Sequence, residues 1–140
     1  MHLSEPYIVV MVVALALLLF WWWASTRSRR QEKEIALARP SDTLETFVAP
    51  FRPEVQPIAR AIYAQFQELT FSGKFPFRKS DPVVKTLSVD PEDLDEALLK
   101  VANQFDCRKP TKEEQDKFTG AETIEDYVEF INYLRPVAVS

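Results

Sequence analysis

The residues that carry most enzyme chemistry are scarce in this chain. Among 140 residues it has one histidine, His2, one cysteine, Cys107, and two glycines. These numbers exclude an intrachain disulfide and a zinc site built from cysteine and histidine. Two glycines are too few for a phosphate-binding loop of the P-loop or dinucleotide type. A Ser-His-Asp or Cys-His nucleophile is excluded as well, unless His2 supplies the base.

The remaining candidates for chemistry are carboxylates. Glu113 and Glu114 are adjacent, as are Glu125 and Asp126, but neither pair has a histidine or a candidate nucleophile beside it. Acid–base catalysis needs a carboxyl group whose pKa is perturbed in a pocket, and no EF-hand spacing is present for calcium. We therefore predict a protein that is not an enzyme and binds no metal or other cofactor.

An uncharged apolar stretch lies near the N-terminus. Residues 6–24 read PYIVVMVVALALLLFWWWA, and 19 residues of helix span roughly 28 Å, close to the hydrocarbon thickness of a bilayer. Tyr7 at one end and Trp21, Trp22 and Trp23 at the other are typical of interfacial aromatic belts. No lysine or arginine precedes the stretch and no small-x-small cleavage pattern follows it. We predict an uncleaved transmembrane helix rather than a signal peptide.

Basic residues flank this helix on one side only. Residues 1–5 contain neither lysine nor arginine, whereas residues 25–40 form a basic connector at the membrane surface. We predict that the membrane is a bacterial inner membrane. The positive-inside rule places residues 1–5 outside it and residues 41–140 on its cytoplasmic side. The predicted partner here is the lipid bilayer. The basic residues predicted to lie at its interface are Arg27, Arg29 and Arg30.

The predicted cytoplasmic part is acidic. Residues 41–140 contain 12 lysines and arginines against 18 aspartates and glutamates, whereas residues 1–40 carry a net charge of +2. A negative surface repels nucleic acid and attracts basic proteins. We expect no DNA or RNA partner and a protein partner with a basic surface.

Helical patterns dominate residues 41–140. Apolar residues at steps of three and four predict a helix over 53–69. Asp90 as a cap with Pro91 at the first position predicts a second helix, which ends near Phe105. Capping signals at Thr111 and Thr123 predict a short third helix and a fourth helix that ends before residue 136. Because no segment alternates as a strand does, the predicted class is all-α.

Two other segments have weaker patterns. Asp42 and Glu45 have the spacing of a capping box, which predicts a short helix. Residues 70–90 lack helical periodicity and are predicted to form a long loop. In this loop Phe71, Phe75 and Phe77 either close a small core or contact lipid headgroups, together with neighbouring lysines and arginines. Cys107 fits a small core residue better than a reactive thiol.

Motifs in residues 89–134 follow an order known from one family. Phe105-Asp106 stands where that family has Phe-Asp or Phe-Gly, Pro110 stands at a common proline, and residues 123–128, TIEDYV, resemble a Thr-Val-x-Asp-x-Val segment. In these positions the chain resembles the second half of an acyl carrier protein. The resemblance implies a small four-helix bundle with a long loop after its first helix, over residues 41–140.

The chain departs from this family at the prosthetic-group site. Acyl carrier proteins bear phosphopantetheine on a serine at the start of the second helix. Counting back from Phe105, that position is Pro91, which has no hydroxyl group. The nearest serine, Ser88, lacks the Asp-Ser-Leu context of the family. We therefore expect no phosphopantetheine, with a modified Ser88 as the alternative.

The acidic start of the second helix is the predicted partner-binding site. In the family this helix docks onto basic patches of enzymes, and the acids at this place are Glu92, Asp93, Asp95 and Glu96. The alternative is that they only complement the helix dipole. We predict a membrane-tethered, non-catalytic docking module whose partner is a lipid or fatty-acid enzyme. A carrier that uses Ser88 and an accessory subunit of a larger membrane complex remain alternatives.

Overall fold

The computed structural model describes residues 4–87 and 89–136, so the predictions for His2 and Ser88 fall outside it. The described residues form seven α-helices and no β-strand, which confirms the all-α class for this part of the chain. The helices are α1 (Glu5–Leu37), α2 (Leu44–Val48), α3 (Gln56–Gln67), α4 (Val83–Leu87), α5 (Pro91–Gln104), α6 (Lys112–Lys117) and α7 (Ile124–Leu134).

Helix α1 is a continuous helix of 33 residues, or about 50 Å. Its most apolar 18-residue window has a mean hydropathy of 2.4, and none of that window is buried. Pro6 lies in the first turn, where its missing N–H costs no hydrogen bond. Among the described residues, α1 is the one helix that is long and apolar enough to span a bilayer.

The second part of α1 belongs partly to the domain that follows. The helix runs to Leu37 without a break, which is close to the predicted end of the connector. One side of this part is covered: the Glu32 side chain is buried, Ile35 packs against the core, and α1 contacts α4. Residues 25–37 are therefore a helical extension docked on the domain.

The core lies between α3, α5 and α7, which pack against one another. Each of these helices has one apolar face, and α2 covers α3 at one end. Full burial of each large apolar side chain contributes roughly 1.5–3 kcal/mol. The buried residues include Ile58, Ile62, Phe66, Phe75, Phe77, Leu94, Val101, Val128 and Ile131.

Helix starts follow local capping chemistry. The Asp90 carboxylate accepts a hydrogen bond from the Glu92 N–H at 3.0 Å, and both Thr111 and Thr123 form capping boxes. These three predicted starts are confirmed. The capping box predicted for Asp42 and Glu45 is wrong, because α2 begins one residue later and the box joins Thr43 to Thr46.

The segment between α3 and α5 is more ordered than its sequence pattern predicts. It contains α4 and an isolated bridge between Pro82 and Thr123. Val83 is fully buried, and the carbonyl of Asp81 accepts a hydrogen bond from the N–H of Ile124 at 3.2 Å. Contacts with α7 therefore support this short helix, which has too few residues to show periodicity. Helix α2 corresponds to the predicted short helix, whereas α4 was not predicted, and the acyl-carrier arrangement remains a prediction.

Candidate functional site

Helix α5 carries the predicted partner-binding residues on its exposed side. Its inner face is formed by Leu94, Ala97 and Val101, which are buried in the core. Because 3.6 residues make one turn, residues that lie off this inner face project away from α3 and α7. The acids predicted to bind a partner all lie there and are exposed: Glu92, Asp93, Asp95 and Glu96.

An apolar side chain adjoins these acids. Leu99 is 61% exposed and follows Asp95 and Glu96 by four and three residues, so it lies on the same side of the helix. We call this surface, from Glu92 to Leu99, the acidic face. The acidic face combines negative charge with an exposed apolar side chain. Protein-binding sites have this combination where an apolar anchor residue lies beside a polar rim.

Most of the charge on the acidic face is not balanced locally. Glu96 lies 3.9 Å from the Lys100 ammonium group, while in the described part of the chain no cation lies within 4 Å of Glu92, Asp93 or Asp95. Carboxylates elsewhere in the domain are more often paired. Their ion pairs include Arg60 with Glu45, Arg52 with Glu129 and Arg108 with Glu114.

The two pairs of adjacent carboxylates serve helix starts. Glu114 accepts two hydrogen bonds from Arg108, both at 2.6 Å, and these hold the pKa of Glu114 far below its ordinary value. N–H groups of Thr123 and Glu122 likewise lower the pKa of Asp126. Among the residues with described positions, no three histidine, cysteine or acidic side chains gather as a metal site.

The predicted attachment position offers no nucleophile. Pro91 occupies the first position of α5 and is exposed, next to the capping Asp90. The alternative attachment residue, Ser88, lies outside the described residues. The one cysteine is partly buried, its thiol lies 3.5 Å from the carbonyl oxygen of Ile131, and burial raises the pKa of Cys107. These features fit the prediction that Cys107 packs against the core.

The predicted membrane-interface residues all lie along α1. Tyr7, Trp21, Trp22 and Trp23 are exposed, as are Arg27, Arg29 and Arg30. The Arg27 guanidinium lies 5.5 Å from the centre of the Trp23 ring. The aromatic and basic residues thus all lie on α1, whereas the acidic face lies on α5.

The three loop phenylalanines divide between the two predicted roles. Phe75 and Phe77 are buried in the core, and their ring centroids are 4.8 Å apart. Phe71 is 53% exposed, and the guanidinium of Arg29 lies 5.0 Å from the centre of its ring. The core role is confirmed for the first two residues, and Phe71 is left at the surface beside α1.

Sequence reasoning missed the contacts that fix α1 to the domain. The buried Glu32 carboxylate accepts hydrogen bonds from the N–H groups of Phe71 at 2.9 Å and Ser72 at 3.0 Å. Arg39 donates two hydrogen bonds to Asp81, at 2.7 and 2.9 Å. We call these two contacts the latch. The available signal was an apolar pair, residues 35–36, within an otherwise polar stretch.

No protein-family model, curated protein or solved structure matches this chain. The acidic face, α1 and the latch are therefore the features that indicate a function.

Proposed function

We propose that this protein is a membrane-anchored, non-catalytic docking module. Its helix α1 crosses a bacterial inner membrane with residues 1–5 outside, and residues 41–140 form a cytoplasmic domain related to acyl carrier proteins but without phosphopantetheine. The acidic face binds a protein with a basic surface, for which a lipid or fatty-acid enzyme is our first candidate. The observation that carries this proposal is the exposed, mostly unpaired charge beside Leu99.

Unpaired surface charge has a direct consequence for association. Three neighbouring carboxylates that have no cation within 4 Å among the described residues produce a negative potential that steers a basic partner to α5. Burial of Leu99 then contributes the apolar contact that charge steering alone lacks. The two effects predict binding that weakens as the salt concentration rises.

The latch supports the membrane part of the proposal. Because Glu32 and Arg39 hold α1 against residues 71–81, the domain is fixed to the end of the helix instead of hanging on a flexible linker. A fixed attachment limits how far the acidic face can move from the end of α1. Partners that are themselves membrane-bound then meet it at a high effective concentration.

The test is photo-crosslinking in native membranes with a photoreactive amino acid in place of Leu99. We expect a discrete protein adduct, which raised salt weakens and which the double substitution Asp95→Lys with Glu96→Lys abolishes. Both positions lie beyond the first turn of α5, so the helix dipole is little affected. The matched control makes the same charge change on α6, in Glu113→Lys with Asp116→Lys, and should keep the adduct.

Two results would contradict the docking proposal. An adduct that survives the α5 reversal would show that the acidic face does not select the partner. Equal loss in the α6 control would show that only net charge matters. Sequencing of the mature N-terminus tests the anchor separately, because cleavage after residue 24 would make the apolar segment a signal peptide.

The carrier alternative requires its own measurement. We would determine the intact mass of the full chain after coexpression with a broad-specificity phosphopantetheinyl transferase. We expect an unmodified mass, because Pro91 has no hydroxyl group. A gain of one phosphopantetheine that disappears in Ser88→Ala would establish the carrier function.

A further inference from the structure

A cleft separates α1 from the tip of the loop that follows α3. It has a volume of about 390 Å³, and its lining comprises Arg29, Glu32, Lys33, Ala36, Phe71 and Ser72. Arg29 and Lys33 are one helical turn apart on the same face of α1, and both are exposed. Neither has a carboxylate within 4 Å among the described residues. The cleft thus has two cations, a hydroxyl group and a half-exposed phenyl ring.

The distance of the cleft from the apolar part of α1 suits a lipid headgroup. Arg29 and Lys33 follow Ala24 by five and nine residues, or by about 8 and about 14 Å along the helix. The headgroup layer extends roughly 5–8 Å beyond the hydrocarbon core. Side chains of a helix tilt toward its N-terminus, which here means toward the bilayer. Long basic side chains at these positions therefore reach the level of lipid phosphates.

The cleft is preorganised by the buried Glu32. The Glu32 carboxylate accepts hydrogen bonds from the N–H groups of Phe71 and Ser72. These bonds hold the loop tip at a fixed distance from α1. These two donors offset much of its charge, and the two flanking cations leave the cleft positive. The Arg29 guanidinium stacks on the Phe71 ring, which fixes one wall.

We infer that this cleft binds the phosphate of an anionic phospholipid headgroup. Arg29 and Lys33 pair with the phosphate, the Ser72 hydroxyl donates a hydrogen bond to it, and Phe71 rests on the glycerol and upper acyl region. The inference rests on the membrane placement in the proposed function, but it does not involve α5 or a protein partner.

The three tryptophans of α1 provide a reporter for this site. Trp21, Trp22 and Trp23 precede Arg29 by six to eight residues, or about 9–12 Å along the helix, and they are the only tryptophans of the chain. We would reconstitute the full chain in phosphatidylcholine vesicles that contain bromine-labelled phosphatidylglycerol, and measure fluorescence quenching against bromine-labelled phosphatidylcholine at equal mole fraction. We expect selective quenching by the anionic lipid, and hence its enrichment at this end of α1.

Two double variants separate a specific site from general attraction. Arg29→Gln with Lys33→Gln removes the cations of the cleft. Arg27→Gln with Arg30→Gln removes two charges at similar depth on the other side of α1, where they line a different groove. One cation near an anionic surface contributes about fivefold in affinity. We expect the cleft variant to lose at least about fivefold more selectivity than its control.

The outcomes divide clearly. Equal loss in both variants would overturn the site in favour of non-specific attraction, and unchanged selectivity in the cleft variant would overturn it as well. Free glycerol phosphate added to the vesicles should not displace the lipid, and displacement would assign the cleft to a soluble phosphate compound. Retention of the chain in carbonate-washed vesicles shows that α1 is inserted, so a failed headgroup site is distinguishable from a failed anchor.

Discussion

Neutralisation of Asp81 should destabilise the domain by about 3 kcal/mol. The Asp81 side chain is 6% exposed and that of Arg39 is 16% exposed, and two parallel hydrogen bonds join them. The Asp81 carboxylate also accepts the N–H of Arg78 at 2.8 Å. In Asp81→Asn, Arg39 stays largely buried without a counterion, and a broken buried pair costs roughly 3–5 kcal/mol. We take the lower end because the amide oxygen still accepts one hydrogen bond.

Thermal unfolding of the full chain in mild detergent tests this value. Far-UV circular dichroism is the suitable probe, because the tryptophans lie in α1 and do not report on the core. For a domain of this size, 3 kcal/mol corresponds to a decrease of roughly 12 °C in Tm. Arg39→Met should have a similar effect. The double variant should cost less than the two single effects added, because they share one interaction.

The matched control is an ion pair of the same geometry at the surface. Arg60 donates two hydrogen bonds to Glu45, at 2.9 and 3.1 Å, but the two side chains are 44% and 74% exposed. Water already solvates both charges, so Glu45→Gln should change Tm little. If Asp81→Asn lowered Tm no more than Glu45→Gln does, burial would not be what makes the latch important, and the reasoning would be refuted.

Three further predictions concern single side chains. Phe75→Ala should cost about 3–5 kcal/mol, because a fully buried ring is lost, whereas Phe71→Ala should leave Tm almost unchanged; equal losses would contradict the observed burial. Asp126→Asn should destabilise by less than about 1 kcal/mol near neutral pH. Hydrogen bonds lower the folded pKa of Asp126, so this difference should persist above its ordinary value of 3.8 and vanish as the pH falls through the lowered pKa; unfolding at several pH values tests it. Cys107 should react with a maleimide much more slowly in the folded chain than in urea, since burial raises its pKa, and equal rates would show an accessible thiolate.

The parts of the fold that the sequence predicts well are those governed by local interactions. Asp90, Thr111 and Thr123 cap their helices as predicted, because a side chain and an N–H two or three residues away decide each start. The start of α2 was predicted one residue too early. The sequence offers Asp42 and Thr43 as competing caps, and Asp42 instead pairs with Arg78, which is 36 residues away in the chain.

Long-range contacts explain what the sequence did not reveal about the site. The exposure of the four acids on α5 could be predicted because they lie close together on one helix, whereas Leu99 beside them was not singled out. The cleft and the latch could not, because Glu32 meets Phe71 across 39 residues and Arg39 meets Asp81 across 42. From sequence alone, a glutamate within a basic segment is expected at the surface. The burial of Glu32 becomes visible only in the fold.

The distribution of charge indicates a second role for the latch, which is to control the orientation of the domain. The cations on α1 are attracted to an anionic membrane, whereas the carboxylates of the acidic face are repelled by it. Both forces act on parts of the chain that are joined, because Glu32 and Arg39 attach α1 to the domain. A flexible connector would let the domain rotate and screen its acids against basic residues 27–33. In the proposed function the latch restrains that rotation, so that the acidic face would stay available to a partner while the cations stay at the lipid surface.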